Sequence, residues 1–174
     1  LPDFRAVRLL TRLKDRRTDT ILSSLAQEFL NEGIELLPSS TYLSHLMPPA
    51  GKLSQRAPTK AERQDIEFGW QAAKAISGFD IGQSVVVKDR AIIAVEAMEG
   101  TDATILRAAA LVRSQNPKNT SGAKEKTNII LVKVAKPKQD LRFDIPVLGA
   151  GTLDTLYQAG GTALAFEADK TLVF

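Results

Sequence analysis

The chain contains no cysteine. That excludes disulfides, thiolate metal sites and a cysteine nucleophile; it fits a reducing cytoplasm without demanding one. There is one histidine, His45. A lone histidine cannot build a zinc site. No serine or cysteine motif surrounds it, and its proline-rich neighbourhood favours a surface role. Aromatic residues make up only 6% of the chain, and no basic–aromatic stacking platform is visible, which argues against binding single-stranded nucleic acid. No apolar run approaches the ~18 residues that a membrane span requires. The motifs GxxxxGK[ST], GxGxxG and GxSxG are all missing. No signal-peptide pattern starts at Leu1, and the absence of an initiator methionine suggests a fragment of something longer.

The 174 residues suffice for one good-sized core or two small ones. Hydrophobic residues at 44% and charged residues at 25% are ordinary for a soluble globular chain. The net charge of +3 suits an anionic ligand or membrane surface but does not single out nucleic acid.

Residues 4–14 have helical periodicity, with Ala6, Leu9, Leu10 and Leu13 on one face. Arg5, Arg8 and Arg12, continued by Lys14, Arg16 and Arg17, make the other face basic. It is either a solvated face or a contact for lipid or substrate phosphate. Asp19 is a candidate cap for a second helix with a buried stripe of Leu22, Leu25, Ala26, Phe29 and Leu30, ended by Gly33. "IELLP" reads as a short strand. Residues 38–58 form a long proline-rich excursion. "PTKAE" carries a capping box, Thr59 with Glu62, ahead of a helix ending at Gly78. "QSVVVKDRAIIAVEAM" reads as a hairpin turning at Lys88, Asp89 and Arg90. "ATILRAAALVR" is apolar nearly all round and predicts a helix buried on most sides. Residues 114–128 are polar and read as a mobile surface loop. "IILVKVA" reads as a central strand. A short helix over 152–159 and a closing strand pair, "TALAFEA" with "TLVF", follow. The class is α/β, a mixed β-sheet covered by helices with one β-hairpin.

In such folds ligands lie beyond strand ends, which directs attention to two segments. In "EGTD", Gly100 permits close backbone approach, and Thr101 or Asp102 opens a helix whose free amides attract phosphate. An ordinary N-cap explains the same residues. Glu96 and Glu99 add carboxylates nearby, which repel phosphate unless a metal intervenes. In "VKVAKPKQDLRFDIP", Lys133 and Lys136 suit a diphosphate. On an extended loop, Asp140, Arg142 and Asp144 share a side. A solvated turn with an internal salt bridge explains this segment equally well.

"FDIGQSVVVKD", "AVEAMEGTD" and "VKVAKPKQDLRFD", in this order and spacing, resemble the C-terminal domain of the LpxI-type UDP-2,3-diacylglucosamine pyrophosphatases. "LPDFRAVRLL", "PTKAERQDIEFGWQAAKAISG" and "TLYQAGGTALAFEADKTLVF" extend the resemblance nearly end to end. It departs from the family pattern at 108–126, where the family has a shorter, glycine-bearing connection, and a short tail after Phe174 is missing. The resemblance implies that residues 1–174 are the ligand-binding half of a two-domain enzyme whose N-terminal domain is absent. It implies hydrolysis of an acylated UDP-sugar to UMP and 2,3-diacylglucosamine 1-phosphate on the way to lipid A, with Mg²⁺ as cofactor. It implies Asp140, Asp144 and Asp102 as catalytic carboxylates, with Asp140 and Asp102 on the metal. Lys133, Lys136, Gly100, Thr101 and Arg142 are then the phosphate-side residues. Leu9, Leu13 and Trp70 are candidates for an acyl groove. The expected location is cytoplasmic, at the inner membrane face, with no nucleic-acid partner and with room for a homodimer. The alternative is an isolated domain that binds the acylated sugar phosphate without turnover.

Overall fold

The computed structural model describes residues 3–11, 13, 18–115, 126–137 and 139–174. Arg12, Lys14, Arg16, Arg17, Lys138 and most of the 114–128 connection lie outside the described residues, as do the side chains of Thr18 and Asp19. The chain divides into two compact units. Residues 1–43 and 140–145 form the first, and residues 44–139 and 146–174 the second.

The first unit holds α1 (Phe4–Thr11) and α2 (Thr18–Asn31). Asp19 falls inside α2, so it is not the cap the sequence predicts. Gly33, at φ +78°, ends the helix as expected. Its N–H donates to the Leu30 carbonyl, and the Ile34 N–H reaches back to Phe29, the paired bonds of a Schellman turn. The expected buried stripe shrinks to Ala26; Leu25, Phe29 and Leu30 are exposed. A unit this small has too little surface to cover a full stripe. α1 likewise buries nothing and leaves Phe4, Val7 and Leu10 exposed. "IELLP" makes no strand.

The second unit is a four-stranded mixed sheet in the order β2-β1-β3-β5. β1 (Ser84–Lys88) and β2 (Ala91–Val95) form the expected hairpin. β3 (Ile130–Lys133) is central, antiparallel to β1 and parallel to β5 (Ala163–Phe166). A register irregularity in the hairpin lets Ile93 and Ala94 pack on one face while Ile92 and Val95 pack on the other. α3 (Lys60–Gly78) covers one face with Ile66, Trp70, Ala73 and Ile76. The Thr59–Glu62 capping box opens it as predicted.

α4 (Thr101–Gln115) and α5 (Ala150–Gln158) cover the opposite face. α4 buries Thr104, Ile105, Ala108, Ala109 and Val112 and exposes Leu106 and Leu111. It is therefore an amphipathic surface helix, not one buried on most sides: among the described residues the sheet and α5 cover one side of it. The predicted closing strand pair does not form. β5 joins β3, whereas β6 (Leu172–Val173) pairs in parallel with β4 (Val147–Leu148) in a separate two-stranded sheet. Non-local partners win over the local turn at Asp169. No helix among the described residues is long and apolar enough to cross a membrane.

Candidate functional site

Side chains alternate along a strand, and that alternation builds the site. Leu131 and Val86 face α4. Two residues along, Lys133 and Ser84 keep that phase, and the two are register partners across the β1–β3 ladder. Glu96 follows Ala94 in the same way and lies just past β2, with its N–H donating to the Ser84 carbonyl at 2.9 Å. Lys133, Ser84 and Glu96 thus reach the sheet end on one face, where α4 begins.

Gly100 sits at φ +84°, a conformation favouring glycine, and its carbonyl accepts the Thr104 N–H at 3.1 Å, the first helical bond of α4. Having no side chain, it cannot cap the first-turn amides. The Thr101 hydroxyl donates to Glu96 Oε1 at 2.8 Å and accepts from Lys133 Nζ at 2.9 Å. Lys133 keeps two further donor hydrogens. Ser84 Oγ and Glu96 Oε2 are buried without hydrogen-bond partners, as is Gln83 Oε1. The approach is tight: a Cβ on Gly82 would meet the Glu96 carbonyl oxygen at 2.0 Å.

Other charges at this end are tied down. Asp102 Oδ1 accepts from Thr152 Oγ1 at 2.8 Å, joining α4 to α5. The Glu99 carboxylate accepts from the Ala97 amide and from Arg107. Its own backbone N–H and the Arg107 guanidinium hold it below the usual carboxylate range. Lys136 pairs with Asp80 at 2.5 Å. Lys74 bridges the Ala135 carbonyl and Glu167. Burial alone would raise the Glu167 pKa, but Lys74, Lys170 and the Ala135 N–H outweigh it and lower it.

Asp140, Arg142 and Asp144 belong to the first unit. Their loop is not extended as expected. The Asp140 carbonyl accepts from the Phe143 and Asp144 amides, curling it into a turn. Arg142 grips the Asp140 carboxylate in a fork, with Nε and Nη2 at 2.6–3.2 Å from the two oxygens. That guanidinium is the main reason the Asp140 pKa is lowered, and Arg142 is raised in return. His45 is exposed in a single 3₁₀ turn, Ser44–Leu46.

Of the residues expected at the site, Gly100, Thr101, Asp102 and Lys133 gather at the mouth of α4. Lys136 leaves the same strand end in an ion pair, and Asp140, Arg142 and Asp144 cluster in the other unit. Sequence reasoning missed Ser84 and the role of Glu96. Both are polar residues at inward strand phases, a signal present in "SVVVK" and "AIIAVEAM". No group of three or more histidine, cysteine, aspartate or glutamate side chains suited to a metal occurs among the described residues.

Residues 49–174 match the LpxI C-terminal domain, and residues 1–46 match the LpxI N-terminal domain. The second match corrects the expectation that the N-terminal domain is missing. The UDP-2,3-diacylglucosamine pyrophosphatase LpxI of Caulobacter vibrioides is 32% identical over 176 aligned residues, covering 99% of this chain and 61% of that protein. The chain thus spans about three fifths of that relative's length.

Proposed function

The chain belongs to the LpxI family, and from that premise we propose that it serves in hydrolysing UDP-2,3-diacylglucosamine to UMP and 2,3-diacylglucosamine 1-phosphate in lipid A synthesis. In the reaction a water oxygen bonds to phosphorus as the anhydride P–O bond breaks. The catalytic demands are neutralisation of the non-bridging oxygens and a placed water. The observation that carries the reading is the 2.9 Å contact between Lys133 Nζ and Thr101 Oγ1. It joins a strand-end cation to an uncapped helix N-terminus, two independent attractions for one phosphate group.

Asp140 is the carboxylate we assign to the water. With its pKa lowered by Arg142, it is ionised at neutral pH and can accept a proton or a hydrogen bond from water. Asp144, in the same turn, is second in line. Magnesium typically takes one or two carboxylates together with substrate phosphates. Asp102, whose Oδ1 accepts from Thr152, keeps a second hard oxygen of that kind, whereas both Asp140 oxygens accept from Arg142 in the other unit. When bound, the ion would offset charge on the phosphate oxygens. Lys136 adds positive charge at the same strand end as Lys133.

An acylated substrate resides in a bilayer. The exposed Phe4, Val7 and Leu10 of α1, with Arg5 and Arg8 on the same helix, suit peripheral contact with an anionic membrane face in the cytoplasm. The test of the reading is UMP release from UDP-2,3-diacylglucosamine with Mg²⁺. Asp140→Ala is expected to abolish release in a protein that remains folded. Wild-type turnover in that variant would remove Asp140 from the chemistry.

A further inference from the structure

We propose that Glu96 is a positioning residue that aims the Lys133 ammonium through the Thr101 hydroxyl. The inference rests on the reading of this strand end as a phosphate site and assigns a role to a residue outside the phosphate-side set. A threonine hydroxyl has one hydrogen and two lone pairs. Glu96 Oε1 takes the hydrogen at 2.8 Å, so the oxygen is left only to accept, and Lys133 supplies that bond at 2.9 Å. Without the carboxylate nothing fixes where the hydroxyl hydrogen points, and nothing then defines the direction of the lysine.

Packing does not account for Glu96. Its Oε2 is buried without a partner, as is the Oγ of Ser84, and Ser84 is only 1% exposed. Orphaned buried polar atoms are costly and call for an explanation. The Glu96 main chain is also pinned. Its N–H is bound to the Ser84 carbonyl, and Gly82 lies against its carbonyl oxygen. A fixed carboxylate, a hydroxyl that can only accept and a half-buried lysine form a relay of preset direction.

The test uses the whole chain, labelled with ¹³C in its lysines. The ε-methylene signal of Lys133, assigned from Lys133→Arg, reports how the ammonium is held without any ligand present. Glu96→Ala and Thr101→Val are expected to move it to the position of exposed lysines. Glu96→Gln, which keeps an acceptor oxygen, and Thr101→Ser, which keeps the hydroxyl, are expected to hold it near the wild-type position. On UDP-2,3-diacylglucosamine, Glu96→Ala is expected to raise KM about tenfold with a smaller change in kcat, as loss of a ground-state phosphate contact does. A Lys133 signal unmoved in both Glu96→Ala and Thr101→Val overturns the positioning role. So does a signal that Thr101→Ser shifts as far as Thr101→Val. If Glu96→Ala fails to fold, Thr101→Val against Thr101→Ser decides. A moved signal with unchanged KM in Lys133→Ala upholds the relay and overturns the phosphate reading instead.

Discussion

Gly82 offers a direct test of how the site is framed. An ideal Cβ there would lie 2.0 Å from the Glu96 carbonyl oxygen and 2.8 Å from its carbonyl carbon. Ordinary carbon–oxygen contact is about 3.3 Å, so Gly82→Ala demands a displacement of roughly 1.3 Å. The obstacle is backbone, which no rotamer change can clear. Moving it also strains the Glu96 N–H bond to the Ser84 carbonyl, worth about 1 kcal/mol net. Overpacking costs about 1–3 kcal/mol more. The expected loss is therefore about 2–4 kcal/mol, a large share of a typical domain's stability. In urea that lowers the midpoint by about 1–2 M. Gly78→Ala is the control. A Cβ there meets nothing within 4 Å, and the helix gains up to about 1 kcal/mol, so its midpoint should hold or rise. A Gly82→Ala midpoint equal to wild type would refute the close approach, and with it the claim that this contact pins Glu96.

Asp65, largely buried on α3, accepts the Asp89 N–H at 3.0 Å and the Arg90 N–H at 2.7 Å. Both turn residues have left-handed φ values, +50° and +56°, so Asp65→Ala should cost about 2–4 kcal/mol, read as a lower urea midpoint; no shift would mean the turn holds itself. Glu62 is held at a pKa of about 2, chiefly by the Arg56 guanidinium, against a usual 4.5. A carboxylate depressed on folding contributes stability that is complete above the unfolded pKa and is lost as pH falls through the folded one. The advantage of wild type over Glu62→Gln should therefore be full above about pH 4.5 and shrink toward pH 2, as measured by urea midpoints across that range. An advantage independent of pH would refute the ionic cause.

What could be read from the sequence was what short-range physics determines. The Thr59–Glu62 box and the Gly33 stop each rest on neighbours within a few residues, and each forms; the hairpin turn also forms where its residue types place it, with Asp65 of α3 holding two of its amides. The apolar "IILVKVA" names a central strand because it needs cover on both faces, whatever its partners. Pairing was not legible. "TALAFEA" and "TLVF" look like a hairpin around Asp169, yet each finds a distant parallel partner, β3 and β4. The helical stripe of α2 was read correctly as a period and wrongly as burial, because periodicity does not reveal how little there is to pack against. At the site, Gly100, Thr101 and Lys133 were nameable from chemistry and strand ends. Their meeting depended on the β1–β3 register, and Ser84 and Glu96 become visible only once that register is known. The curl of 140–144 came from the Asp140 carbonyl and carboxylate taking amides of their own loop, a competition that residue types allow but do not decide.

The two long helices of the second unit open in opposite ways, and the difference bears on anion binding. At α3, Thr59 accepts the Glu62 N–H and Glu62 accepts the Thr59 N–H, so the helix spends its own side chains on its own amides. At α4 the acidic and hydroxyl groups are as plentiful but are turned elsewhere. Glu96 takes the Thr101 hydroxyl, Glu99 takes Arg107 and the Ala97 amide, and Asp102 takes Thr152. Gly100, at the capping position, has nothing to offer. The positive end of the α4 dipole therefore keeps its first-turn amides clear of its own carboxylates, with Lys133 fixed alongside. A phosphate arriving there meets donors whose direction is already set, and it does not have to displace an internal cap to reach them.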